Sequence, residues 1–220
     1  MDSLIYILFI SLFFPLFLMM LLVEEKARLP IIFVMVGIFI SVFASEVNGV
    51  LLSILAITRY DATITLAPVT EELLKAFPIL FYAITISDKK EKLFTASMAT
   101  GIGFAILENA FYLIMNYETF SVMSALVRGF CTGLMHGMCT LLVGFGISFI
   151  RKRRKLFAVG TFALLSTAIT YHALFNMLIQ AKHPIFGALL PLLTYLPFFI
   201  WRHIKKHGKA NGESVAATVE

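Results

Sequence analysis

"VTEELLKAFP", residues 69–78, lies between TLAP (65–68) and ILFYAITI (79–86), and it puts two adjacent glutamates and a lysine in a run that otherwise suits a bilayer. Ionised side chains are expensive at membrane depth, so Glu71, Glu72 and Lys75 are functional candidates from the start. The composition sharpens the point: 60% of the 220 residues are hydrophobic and only 14% charged, with a mean hydropathy of +0.91. This is the profile of an integral membrane protein. The 22 Phe and 10 Met residues then serve lipid contact and packing and point to no cofactor.

Cutting the chain at its charge clusters gives apolar segments at 4–23, 30–58, 62–86, 93–115, 124–150, 156–181 and 184–201. The expected fold is all-α, a polytopic membrane helix bundle of about seven transmembrane helices. Residues 1–201 would form a single transmembrane helical domain, and 202–220 a polar, disordered cytoplasmic tail. Segment 30–58 is long, and Glu46 and Asn48 mark a place where it could divide into two spans. Loop charge favours one long or bent span. With seven crossings, loops 24–29, 88–92 and 151–155 and the tail hold 2, 3, 5 and 4 basic residues, against only Arg59 and Lys182 on the other side. That bias puts the N-terminus outside and the C-terminus in the cytoplasm. It also accounts for the net charge of +5 by topology, so nucleic acid is not an expected partner. The first apolar run has no basic segment before it and no small-residue cleavage site after it, and reads as a retained span. Cys131 and Cys139 lack metal or redox spacing and read as packing residues.

The polar residues inside the spans are few: Glu46, Glu71, Glu72, Lys75, Glu108, Arg128, His136 and His172, with Asn48, Asn109 and Asn176 beside them. Counting from the outer end of each span at ~1.5 Å per residue puts Glu71, Glu108, His136 and His172 at roughly 14, 10, 18 and 14 Å. Four helices therefore deliver them to one layer in the outer half of the membrane. Glu71–Lys75 is an i,i+4 pair and Glu72–Lys75 an i,i+3 pair, so an ion pair that merely eases insertion is one reading. One lysine cannot neutralise two glutamates, and the second carboxylate needs another partner. His172 and Asn176, also i,i+4, present donors fit either for an oxyanion or for interhelical hydrogen bonding. Glycines 129, 133, 137, 144 and 146 suggest close helix packing along the fifth span.

Two hydrolytic schemes fit these groups. In one, His136, His172 and Glu108 or Glu71 hold zinc and acidify its water. In the other, a buried glutamate is general base on water, without a metal. A proton-coupled carrier using the same glutamates and histidines is the alternative. There is no HExxH, GxSxG, P-loop or GxGxxG motif, and the Gly101–Gly103 pair is too short to argue for a dinucleotide.

Four blocks in order resemble the PrsW family of intramembrane proteases, within the superfamily that includes the CAAX-prenyl endopeptidases: EELLK (EExxK), GFAILENAFYL (FxxxEN, with Phe104, Glu108 and Asn109), MHGMCTLLVGF (His136) and YHALFN (His172, Asn176). The resemblance implies a multi-pass protein of a prokaryotic cytoplasmic membrane. It would cut a single-span membrane protein near its extracytoplasmic side, as with the anti-sigma factors of regulated proteolysis. It implies Glu71 as base, Glu72 and Lys75 as its support with Asn109 nearby, and His172 and Asn176 as an oxyanion site. Glu108 and His136 complete the cluster. Zinc stays open, because the family is labelled metalloprotease while superfamily relatives look like glutamate proteases. Where this chain has HxxxN, some members have HxxxD, which leans Asn176 towards an oxyanion or positioning role.

Overall fold

The computed structural model describes residues 2–119, 121–151, 153–181, 185–197 and 200. The expected polar tail and the end of the last expected span lie outside the described residues. The described residues are 90% helix, with no strand among them. In order, the helices are α1 (Asp2–Leu22), α2 (Glu25–Leu55), α3 (Arg59–Thr65), α4 (Ala67–Thr85), α5 (Lys90–Met115), α6 (Val122–Ile147) and α7 (Thr161–Ile179). A π-helical turn, Leu156–Gly160, leads into α7, and a shorter apolar helix, α8, covers Ile185–Pro197.

Five of these are long and apolar enough to cross a membrane: α1, α2, α5, α6, and the π turn continued by α7. At 19 residues α4 has the length, but it carries Glu71, Glu72 and Lys75. Large apolar side chains such as Phe77, Phe81, Phe130 and Phe162 are exposed on the bundle's flanks, as suits a surface solvated by lipid.

The long second segment is one helix, continuous past Glu46 and Asn48. Its 31 residues span about 46 Å, more than the hydrocarbon thickness, so it tilts or projects. The start of the expected 62–86 span is different. Residues up to Thr65 belong to α3, a separate short helix whose N-cap Thr58 accepts a hydrogen bond from the Asp61 backbone N–H (3.1 Å). Thr58 also donates to the Asp61 carboxylate (2.7 Å), so T-x-x-D acts here as a local start signal. Pro68 then opens α4, where its missing N–H costs nothing.

Helix α5 is pressed between α2 and α6 by glycines on both faces. A Cβ at Gly37 would lie 2.1 Å from the Thr100 carbonyl oxygen, and one at Gly103 would lie 2.1 Å from that of Val34. On the other face, a Cβ at Gly101 would meet the His136 carbonyl oxygen at 2.3 Å. The GxG pair thus serves close backbone approach. In α6 the sequence expectation holds only in part. Gly144 and Gly146 abut Ser97 and Thr161, but Gly129 and Gly133 face open space. Gly101 and Glu108 are seven residues apart on one face of α5, so the tight contact with α6 brings Glu108 towards that helix's polar residues. Below them, Ile79, Leu93, Ala96, Met135, Cys139, Val143 and Ala168 form the core, with both cysteines buried as free thiols.

Replacing Gly103 by Ala should lower stability by about 1–3 kcal/mol, because backbone rather than a flexible side chain must move. Gly133→Ala should be neutral or stabilising. Thermal unfolding of both variants in detergent micelles measures the difference.

Candidate active site

Four helices meet at a polar cluster sealed inside this apolar bundle. Glu72 and Lys75 come from α4, His136 from α6 and His172 from α7, each no more than 1% exposed. The i,i+3 pair closes, with Lys75 Nζ 2.6 Å from Glu72 Oε1. The same ammonium lies 2.8 Å from His136 Nδ1 and 4.4 Å from the centre of the Phe104 ring. Three N–H groups thus meet a carboxylate, an imidazole nitrogen and a π face, which satisfies a buried lysine completely.

The histidine tautomers follow from these partners. An ammonium only donates, so His136 Nδ1 accepts and its Nε2–H donates to Glu108 Oε2 at 2.6 Å. For His172, Nδ1 lies 2.8 Å from Glu72 Oε1, and an ionised carboxylate only accepts. Nδ1 therefore carries a proton, and Nε2 lies 3.9 Å from Glu71 Oε2. The two imidazoles pack edge to face, their centres 4.8 Å apart.

Charge balance separates the glutamates. Glu72 is paired with Lys75. Glu108 is paired with Arg128 Nη2 at 3.4 Å. Glu71 has no lysine or arginine within 4.0 Å among the described residues, and its buried Oε2 makes no hydrogen bond there. Its side chain is 12% exposed and lines a cleft of ≈ 680 Å³ that Glu108, Phe104, Glu46, Arg59, Thr63 and Asn116 also border. Glu108 borders the same cleft with its side chain 35% exposed, but it has its cation; of these three glutamates Glu71 is the one at the cleft without a lysine or arginine partner.

The expected site residues divide accordingly. Glu71, Glu72, Lys75, Glu108, His136 and His172 come together. Asn176 lies one turn beyond His172, and its Nδ2–H donates to the Thr63 carbonyl (2.8 Å). Beside it, Gln180 donates to the Thr63 hydroxyl (2.9 Å), so this edge of α7 clasps α3 at the cleft. Asn109 is buried with its Oδ1 unpartnered among the described residues. Glu46 borders the cleft and accepts from the Tyr6 hydroxyl (2.9 Å), and Asn48 bonds the Thr70 hydroxyl. Sequence reasoning gave no role to Phe104 as the seat of Lys75, nor to Thr63. The first was signalled by its place four residues before Glu108, the second only by the cap at Thr58.

The donor set suits a divalent metal in part. Glu71, His136 and His172 each bring one ligand atom within 4.8 Å of the others. Glu71 Oε2 and His172 Nε2 are available as they stand. Both His136 nitrogens are engaged, so it would ligate only by releasing Lys75 or Glu108. Of the two glutamates expected as alternative third ligands, Glu71 belongs to that group, while Glu108 is hydrogen-bonded to His136 and lies outside it.

No curated protein and no solved structure matches the chain. One family model does, that of the PrsW family intramembrane metalloprotease, over residues 25–202. Those residues include every member of the cluster just described, and the chain belongs to the PrsW family of intramembrane proteases.

Proposed function

We propose that this protease hydrolyses a peptide bond of a single-span membrane protein near its extracytoplasmic side, with Glu71 as the general base. The observation that carries the reading is the uncompensated Glu71 carboxylate at the inner end of a cleft, beside a histidine fixed by Glu72. Water entering the cleft donates one hydrogen to Glu71 Oε2 and the other to His172 Nε2. Its oxygen attacks the scissile carbonyl as Glu71 takes the proton, and Glu71 then delivers that proton to the departing nitrogen. Glu72, Lys75 and His136 hold this geometry. An oxyanion role for Asn176 would require it to leave Thr63, and we assign it instead to the clasp on α3.

If a divalent metal is resident, Glu71, His172 and a released His136 would hold it, and it would supply Lewis acidity for water activation in place of those two hydrogen bonds. The cleft is bordered by Arg59, Met115 and Asn116, at the ends of the connections after α2 and α5. These oppose the basic loops, which supports seven crossings with the N-terminus outside, and a cut on the outer side of a prokaryotic cytoplasmic membrane. An anti-sigma factor is the substrate type that the family resemblance suggests. Family membership does not favour the carrier reading.

Tagged single-span membrane proteins, co-expressed with wild type or Glu71→Gln at equal membrane levels, test the base. Cleavage should fall by about 10²–10⁴-fold in the variant while its thermal stability is kept. Equal cutting by both would remove Glu71 from the role.

Lys75→Met should behave oppositely to Glu71→Gln, costing about 3–5 kcal/mol of stability by stranding the buried Glu72 carboxylate. Thermal unfolding in micelles reads that contrast.

Metal content decides between the two forms of water activation. A resident metal should copurify at one per chain and be lost in His172→Ala. Active, chelator-resistant wild type without metal would assign the step to Glu71 alone.

A further inference from the structure

Arg128 lies outside the four sequence blocks that carry the family resemblance, yet it is an arginine within a membrane-length helix, its side chain only 15% exposed. Such a residue needs a reason to be there. Its guanidinium carbon sits 3.7 Å from the centre of the Tyr112 ring, a stacked seat on α5. Tyr112 is four residues after Glu108, so the tyrosine and the carboxylate share a face and the guanidinium bridges them. Arg128 Nη2 meets Glu108 Oε1 at 3.4 Å, while the other carboxylate oxygen, Oε2, takes the His136 Nε2–H at 2.6 Å. Each oxygen of Glu108 thus has its own partner, and both partners come from α6.

We infer that Arg128 is a positioning residue for the protease reaction: seated on Tyr112, it orients Glu108 so that Glu108 holds His136 with Nδ1 turned to Lys75. This rests on the proposed role of the cluster in water activation. The chain of contacts runs Arg128, Glu108, His136, Lys75, Glu72, His172, and ends beside Glu71. Without Arg128, Glu108 becomes a second carboxylate with no cation, free to turn towards the cleft it already borders. His136 then loses its fixed acceptor, and the ammonium that orders both histidines loses a fixed neighbour. A guanidinium that served only to neutralise charge during insertion would leave turnover per folded molecule untouched.

Two readouts separate these cases. In the first, Arg128→Met should lower kcat per folded enzyme at least tenfold with KM within twofold, and Arg128→Lys should recover most of the loss. The second needs no substrate: ¹⁵N-histidine NMR of the full chain in micelles. Wild type should show His136 protonated at Nε2, with a proton resonance shifted downfield by the carboxylate. That shift should collapse in Arg128→Met and persist in Arg128→Lys. Should Arg128→Met fail to accumulate, Tyr112→Leu removes the seat but keeps the charge. It should then weaken the His136 resonance shift and lower kcat at least threefold. An unchanged His136 resonance, or unchanged kcat per folded molecule, overturns the inference. A wild type that cuts nothing overturns the protease reading while the NMR comparison still decides the position of Arg128.

Discussion

The ammonium of Lys75 is the interaction on which the rest of this bundle depends. A lysine with no solvent exposure survives only where every N–H has a partner, and here those partners come from three helices: Glu72 on α4, Phe104 on α5 and His136 on α6. Satisfying one cation therefore fixes how three helices stand towards each other. The fourth joins through His172, whose Nδ1 proton goes to the same Glu72 oxygen. Polar partners this specific leave little freedom of register, because a shift of one residue in any helix strands a buried charge.

Around that centre the bundle distributes charge unevenly. Two carboxylates are each given a cation, Glu72 by Lys75 and Glu108 by Arg128, and the third is given none. The unpaired one borders the cleft together with Glu108, and it is the one that the proposed mechanism uses as base. Isolation of that kind suits a group that must accept and release a proton within one cycle.

Much of this was legible in the residues. Hydropathy and charge located the long helices, and the i,i+3 and i,i+4 spacings put Lys75 in reach of both neighbouring glutamates, of which one ammonium could neutralise only one. Depth counting gathered Glu71, Glu108, His136 and His172 into one layer, and the structure brings all four together. What spacing could not give was direction across helices. Nothing local says that Asn176 turns to Thr63 rather than to the cluster, since that choice depends on where α3 lies. Likewise Gly129 and Gly133 share the small-residue pattern of Gly137, but the pattern does not say which stretch of the helix faces a neighbour. Boundary reasoning missed α3 because its apolar content merges with α4, and the cap at Thr58 is a backbone signal that hydropathy does not register.

The matched family region begins at residue 25, after α1. Only 6% of the apolar window of α1 is buried, yet Ile5 lines the cleft and Tyr6 bonds Glu46 at its border. One side of the cleft's border therefore comes from outside the matched region, while the rest of its lining and the polar cluster lie within it. Substitutions at Ile5 or Tyr6 would reshape one border of the cleft without touching a side chain of the polar cluster, so the two can vary independently.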